Sequence, residues 1–328
     1  MTSTAKIGDL LAKRRTLSFE FFPPATSKGV EQLNRTLADL SVLNPAFVSV
    51  TTGAGGSKTD TTRDVVIEMQ QKSPFPVMAH LTCAQHNRKQ IRALLNSYSS
   101  SGVFNILALA GDPPEEADAV IALESEAASD EAASDEAASS FESPPASRRD
   151  SLASKEVSGE VASSTLRYAS ELVAEIRNHS VAFGIGVAAH PEVHPRSTSR
   201  QADRRYLAEK LVAADFAITQ FFFDKAHYLN LREELAALGC DKPIIPGIMP
   251  VTSPDRIAHF ANMNGTEIDR QLWDRLEPAT TQDRHKIATD YAITQCQELL
   301  AESAPGIHLY SMNQSQICVS ILKEIHTL

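Results

Sequence analysis

Disulfide and metal chemistry have little to draw on in this chain. Its four cysteines, Cys83, Cys240, Cys296 and Cys318, are scattered without CxxC spacing. That spacing argues against a zinc site or a disulfide framework and for reduced thiols in a cytoplasmic protein. No apolar run approaches the roughly 20 residues of a membrane span. The opening residues, Met1-Thr2-Ser3-Thr4-Ala5-Lys6, lack the apolar core of a signal peptide. There is no basic stripe of the kind that tracks nucleic acid, so neither nucleic acid nor membrane is an expected partner.

Net charge is the one total that stands out, at −10 over 328 residues, and it is local. Residues 115–164 hold 13 Asp or Glu and 3 Lys or Arg, and the rest of the chain is neutral. Ser-Asp-Glu-Ala-Ala recurs at 129–133 and 134–138, followed by Ser- and Pro-rich sequence. Few aromatics and high charge predict a disordered, solvated insertion. A tolerated loop expansion accounts for it with fewer assumptions than a regulatory or partner-binding role.

Outside that segment the chain alternates short apolar runs with amphipathic stretches. The first run, Leu17-Ser18-Phe19-Glu20-Phe21-Phe22, reads as a strand buried on both faces and stopped by Pro23-Pro24. A carboxylate in such a strand is costly unless it is paired, hydrogen-bonded or protonated. Glu20 is therefore either a buried acid satisfied by an arginine or a proton donor with a raised pKa. Further strands are expected at 46–51, 77–82, 105–110, 183–189, 216–224, 243–250 and 307–312, each followed by a helix. A lead-in helix is expected over 1–16, and Ser27 is expected to cap the helix after the first strand.

Eight strands, each with a helix behind it, predict a (β/α)8 barrel, with a doubly wound sheet as the runner-up. No strand carries a convincing dinucleotide fingerprint. Residues 1–328 are taken as one barrel domain, with 115–164 inserted after the fourth strand. Active sites of such barrels lie at the carboxyl ends of the strands. Glu20, Thr51, His80, Thr82, Asp112, His190, Gln220 and Asn313 all fall there. Asp112, like Glu20, sits after an apolar strand and just before two prolines. The glycine-rich loop at 52–57 is either a close approach to a ligand or a plain loop. His190 and His194 would suit a metal on a helix, but Pro191 and Pro195 break any helix there, so no metal is expected.

Taken together the motifs resemble the methylenetetrahydrofolate reductase family. The matching pieces are SFEFFPP (18–24), FVSVT (47–51), AHLTC (79–83), GDPP (111–114), RYASELV (167–173), HPEVHP (190–195), AITQFFFD (217–224), IIPGIMPV (244–251) and YSMN (310–313). The resemblance implies a reductase in which NADH or NADPH reduces bound FAD and the flavin then reduces 5,10-methylenetetrahydrofolate to 5-methyltetrahydrofolate, feeding methionine biosynthesis. It places the general acid on Glu20 and a second carboxylate on Asp112, near flavin and pterin. Folate contacts fall on Asp112, Gln220, Phe260 and Gln314. Flavin contacts fall on Thr51, Thr52, Ala54, His80, Gly111, Asp112, Tyr168, Ala169, His190, His194, Asp203, Tyr206 and Lys210. A homo-oligomer is also implied. The chain ends after the eighth helix, so control by S-adenosylmethionine through a C-terminal domain is not expected.

Four positions depart from the family pattern. Ala110 and Gln314 stand where arginine is usual, and Thr52 and His190 where tyrosine is common. A charged hydrogen bond is worth roughly 1.5–3 kcal/mol, so each lost arginine costs about one to two decades of affinity. Those losses leave two further readings open. One is a non-catalytic folate- or flavin-binding paralogue, and the other is a flavin-free reductase with direct hydride transfer.

Overall fold

A computed structural model describes residues 4–24, 26–52, 59–84, 86–111 and 165–325, and the side chains of 59 and 60 are not among them. Ala54, Asp112 and the acidic insertion lie outside the described residues.

Eight parallel strands close into a barrel in chain order. They are β1 (Thr16–Phe21), β2 (Phe47–Val50), β3 (Val77–Thr82), β4 (Asn105–Leu109), β5 (Gly184–Ala189), β6 (Phe216–Phe221), β7 (Ile244–Ile248) and β8 (Gly306–Tyr310). β1 pairs with β2 on one side and β8 on the other, with Glu20 opposite both Ser49 and Tyr310. The helices are α1 (Ile7–Leu11), α2 (Ser27–Ser41), α3 (Thr59–Lys72), α4 (Arg88–Ser100), α5 (Ala169–His179), α6 (Arg200–Ala213), α7 (Lys225–Ala237), α8 (Pro254–Asn264), α9 (Arg270–Leu276), α10 (Thr281–Ala301) and α11 (Ser315–Glu324). This is the (β/α)8 architecture that the alternation predicts.

Alternation along each strand sorts side chains into two cores. Phe19 and Phe21 point outward and, with Val48, Val50, Ala79 and Leu81, meet the helices. Phe47, Met78, Leu107, Phe216, Ile218 and Ile245 fill the lower barrel interior. Each fully buried phenylalanine or leucine contributes roughly 1.5–3 kcal/mol. The upper interior holds polar groups instead, and the site lies there.

Two helix boundaries differ from expectation. The lead-in helix covers five residues of the expected sixteen. It plugs the lower pole: the Ile7 N–H donates to Asn105 Oδ1 at 2.9 Å, and Asn105 Nδ2 donates to the Ala5 carbonyl at 2.9 Å. The chain must leave the helix early because the Thr16 N–H already pairs with the Pro305 carbonyl at 3.0 Å, at the start of β1. The α2 cap is Thr26, whose Oγ1 accepts from the Gly29 N–H at 3.1 Å, so Ser27 is the first helical residue.

Candidate active site

Glu20 lies on the inner face of β1 near the upper pole, with two imidazoles around it. Its Oε2 is 3.4 Å from His80 Nε2 on β3 and 3.5 Å from His308 Nε2 on β8. Ser49 on β2 donates to the same oxygen at 3.5 Å. Its close neighbours are thus two histidines, in place of the arginine that is one of the two expectations from sequence. Behind His308, Ser18 Oγ sits 2.8 Å from Nδ1 and also donates to the Ile307 carbonyl at 3.3 Å.

The expected rise in the Glu20 pKa is overturned. Burial does push the carboxyl up, but the charge of His80, the hydrogen bond and charge of His308 and the Ser49 hydroxyl outweigh it and hold the pKa below the usual carboxylate value. Burial also holds His80 below the ordinary imidazole value, against the pull of Glu20 and with His308 adding to the decrease. The proton count of this cluster therefore belongs to the carboxyl and its rings together.

Above β2 and β3 three buried polar atoms have no hydrogen-bond partner: Thr51 Oγ1, His80 Nε2 and Thr82 Oγ1. Buried orphans of this kind in a barrel mouth are what a polar ligand edge would satisfy. Thr52 differs, since its hydroxyl donates to the His80 carbonyl at 2.8 Å. Gly111 follows with φ of +87°, and an added Cβ would lie 3.1 Å from the Thr82 Cβ, so only glycine brings the backbone this close. Ala110 packs outward against the helix-side core.

The β5 side carries the histidine pair in a loop, as the prolines require. The His190 and His194 rings lie 4.4 Å apart. Burial, then the charges of His194, Lys210, Arg204 and Arg196, press the His190 pKa down to about 3. His190 is therefore a neutral ring at neutral pH. Arg204, almost fully buried, anchors this loop. It donates to the carbonyls of His190 (2.9 Å), Pro191 (2.6 Å) and Glu192 (2.9 Å), and to the carboxylates of Asp203 and Glu234. Lys210 Nζ reaches the Ala188 carbonyl at 3.4 Å at the end of β5, and burial lowers its pKa against the opposing charge of Asp203. Tyr168 and Tyr206 are exposed, and Ala169 opens α5.

Across the mouth, above β7 and β8, a groove is lined by Arg256, Phe260, Tyr310, Met312 and Gln314. Gln314 occupies the N-cap of α11 without making a capping bond. Gln220 is on β6, between this groove and the β5 loop. Asn313 has a structural part: its Oδ1 accepts from the Phe22 N–H at 3.1 Å and its Nδ2 donates to the Phe22 carbonyl at 3.0 Å, securing the chain just after Glu20. In barrel order Glu20 therefore stands between a half built on β2–β5 and a half built on β7–β8.

Sequence reasoning missed His308, Ser18, Ser49 and Arg204. The usable signal for the first three was register: inward positions of adjacent parallel strands meet at one level, which pairs Glu20 with Ser49 and Ser18 with His308. Among the described residues no group of His, Cys, Asp or Glu could hold a metal ion, and no helix is long and apolar enough to cross a membrane.

The model of the family described as methylenetetrahydrofolate reductase matches residues 6–136 and 145–326. A 5,10-methylenetetrahydrofolate reductase from Pectobacterium carotovorum subsp. carotovorum is 32% identical over 324 residues, covering 97% of this chain and 91% of that protein. Methylenetetrahydrofolate reductase (NADH) 1 of Arabidopsis thaliana is 31% identical over 321 residues, 94% of this chain but 48% of the plant protein. A solved structure from Clostridium thermocellum, of a protein that binds two copies of 5-methyl-5,6,7,8-tetrahydrofolic acid, aligns with a TM-score of 0.55 at 13% identity over 96% of each chain, a likeness of fold alone. The match to a bacterial relative runs along nearly the whole of both chains, and with it the family model: the chain belongs to the methylenetetrahydrofolate reductase family.

Proposed function

We propose that this protein reduces 5,10-methylenetetrahydrofolate to 5-methyltetrahydrofolate with NADH or NADPH, through bound FAD. The observation that carries the reading is the placement of Glu20 between two differently built halves of one barrel mouth. The β2–β5 half fits a flavin: the orphaned Thr51 Oγ1 and Thr82 Oγ1 offer hydrogen bonds to a polar ring edge, and Gly111 keeps the rim open. Thr51, Thr52, His80, Gly111, His190, His194 and Lys210 would hold the group, with Tyr168, Ala169, Asp203 and Tyr206 at its edge. Ala54 and Asp112 join this set from sequence. FAD, when bound, accepts and gives up the reducing equivalents.

The remaining work falls to the chain's own side chains. Phe260 packs on the substrate's aryl rings in the β7–β8 groove, and Gln220 orients the pterin. Gln314 contacts the substrate's tail as a neutral donor where relatives have a cation. Glu20 protonates the folate nitrogen that departs as the imidazolidine ring opens to an iminium ion. The negative charge of Asp112 stabilises that cation. A second reading, a non-catalytic paralogue, draws on Gln314, a neutral side chain in the β7–β8 groove, since Ala110 packs outward against the helix-side core.

Residues 1–328 act as one catalytic barrel domain in this reading, with 115–164 as an insertion, in a homo-oligomer that supplies methyl groups for methionine synthesis. The test is a pair of half-reactions on Glu20→Gln. Flavin reduction by NADH is expected to stay within a few-fold of wild type while folate reduction falls at least about 10²-fold. Equal loss of both would overturn the assignment of Glu20.

A further inference from the structure

A low-pKa carboxyl is a poor proton donor at neutral pH, so the acid role of Glu20 needs a source for its proton. We propose that His308 stores the proton that Glu20 delivers, the carboxyl and the imidazole holding one proton between them. The inference rests on the proposed role of Glu20 and adds to it a residue that touches the acid and never the substrate.

The geometry favours His308 over His80. Ser18 Oγ lies 2.8 Å from His308 Nδ1 and has the Ile307 carbonyl at 3.3 Å as its own acceptor. Nδ1–H can therefore donate to Ser18 while the Ser18 hydroxyl passes its hydrogen to the backbone. That fixes Nδ1 as the permanent donor and leaves Nε2, 3.5 Å from Glu20 Oε2 and 3.5 Å from Ser49 Oγ, free to carry a proton or accept one. Both protonation states of the ring are then satisfied, although it is wholly buried. The Phe47 ring stacks on it at 6.0 Å and Tyr310 meets it edge-on at 5.6 Å, which fixes its plane. His80 Nε2 is as near to Glu20 but makes no hydrogen bond. Among the described residues the ionisable groups facing Glu20 are His80 from β3 and His308 and Tyr310 from β8, and burial keeps Tyr310 a neutral phenol.

The steps balance without any co-reactant other than water. At rest His308 is an imidazolium and Glu20 a carboxylate. With substrate in the mouth, the Nε2–H bond breaks and an O–H bond forms on Glu20, leaving both groups neutral. That O–H bond then breaks as the departing folate nitrogen gains the proton, which returns Glu20 to carboxylate with His308 neutral. A solvent proton entering past Glu20, whose side chain is 17% exposed, recharges the ring.

The decisive test is side-chain 15N spectroscopy of the histidines in the FAD-loaded enzyme, between about pH 5 and 9. His308 is expected to show an imidazolium signal within this range, and Glu20→Gln to lower the midpoint of that signal by more than about one unit. A single neutral tautomer across the range, unchanged by Glu20→Gln, would overturn the store. In kinetics, His308→Gln is expected to cut folate reduction roughly 10²-fold and move its alkaline limb to lower pH, with flavin reduction within about twofold. Ser18→Ala keeps the ring but removes its anchor and should lower the midpoint partway; no shift in Ser18→Ala would contradict the anchoring. A protein that takes up no flavin would defeat the proposed function, and the same titration of the flavin-free protein would still support or overturn the store.

Discussion

The Tyr310 hydroxyl donates to the Thr219 carbonyl at 2.7 Å, tying β8 to β6 across β7. The bond passes over Gly247, where an added Cβ would lie 2.3 Å from the Thr219 oxygen and 2.7 Å from the Tyr310 ring. Tyr310 neighbours Glu20 in register, and Thr219 precedes Gln220, so one glycine sets the spacing of the barrel mouth here.

Gly247→Ala is accordingly expected to push Tyr310 aside. Overpacking of this kind costs typically 1–3 kcal/mol. Thermal unfolding should show a midpoint several degrees lower, and the KM for methylenetetrahydrofolate should rise while flavin reduction by NADH changes little. An unchanged midpoint and KM would mean that β7 has room to spare.

Arg204 gives a second expectation. Its five polar contacts hold the loop that carries His190 and His194, and the side chain is 3% exposed. Arg204→Ala leaves three loop carbonyls without this donor and leaves Glu234 to Arg200 alone, and should destabilise the fold by about 1–3 kcal/mol. Arg204→Lys keeps the charge but not the fork, and should fold while binding FAD at least several-fold more weakly. Urea unfolding and flavin titration of the pair measure both effects, and wild-type flavin affinity in Arg204→Lys would contradict the clamp.

Stability should fall on the acid side in two stages. The folded His190 pKa lies near 3 against an ordinary 6.5, so the unfolded chain takes up that proton first and stability is lost as pH falls from about 6.5. The slope is at most about 1.4 kcal/mol per pH unit, less for a partly exposed ring. Burial raises the Glu175 carboxyl, but its hydrogen bonds and charge pairing with Arg92 and Arg88 outweigh this and lower its pKa, so its contribution is present above the usual value of 4.5 and is lost as pH falls below it. Urea denaturation at several pH values should show His190→Phe flattening the first stage and Glu175→Gln the second. A pH-independent stability from 7 to 5 in the wild type would contradict the neutral His190.

Gln314→Arg restores a cation beside Phe260 and Tyr310 in the β7–β8 groove. One charged hydrogen bond of roughly 1.5–3 kcal/mol should lower the KM for the folate by about tenfold or more. Flavin reduction by NADH should not change. A KM that stays put would place the substrate's tail elsewhere.

Much of this architecture is legible in the sequence because parallel strands buried on both faces read as apolar runs, and the motifs fall at their carboxyl ends. Glu20, His80 and Thr51 are found in that way. The Glu20 pKa was not legible, because its sign depends on His80 and His308, 60 and 288 residues away, and these meet it only through barrel register. His308 hides in a run that looks like any buried strand. Arg204 hides in a charged helix whose other faces are exposed. The five-residue α1 plug escaped because its role is set by Asn105, on β4.

The central claim is tested most directly by the absorption spectrum of the purified protein under anaerobic conditions. The account predicts an FAD spectrum that bleaches on adding NADH or NADPH and returns on adding 5,10-methylenetetrahydrofolate. A colourless protein that takes up no FAD, or a bleached flavin that the folate fails to reoxidise, would contradict it.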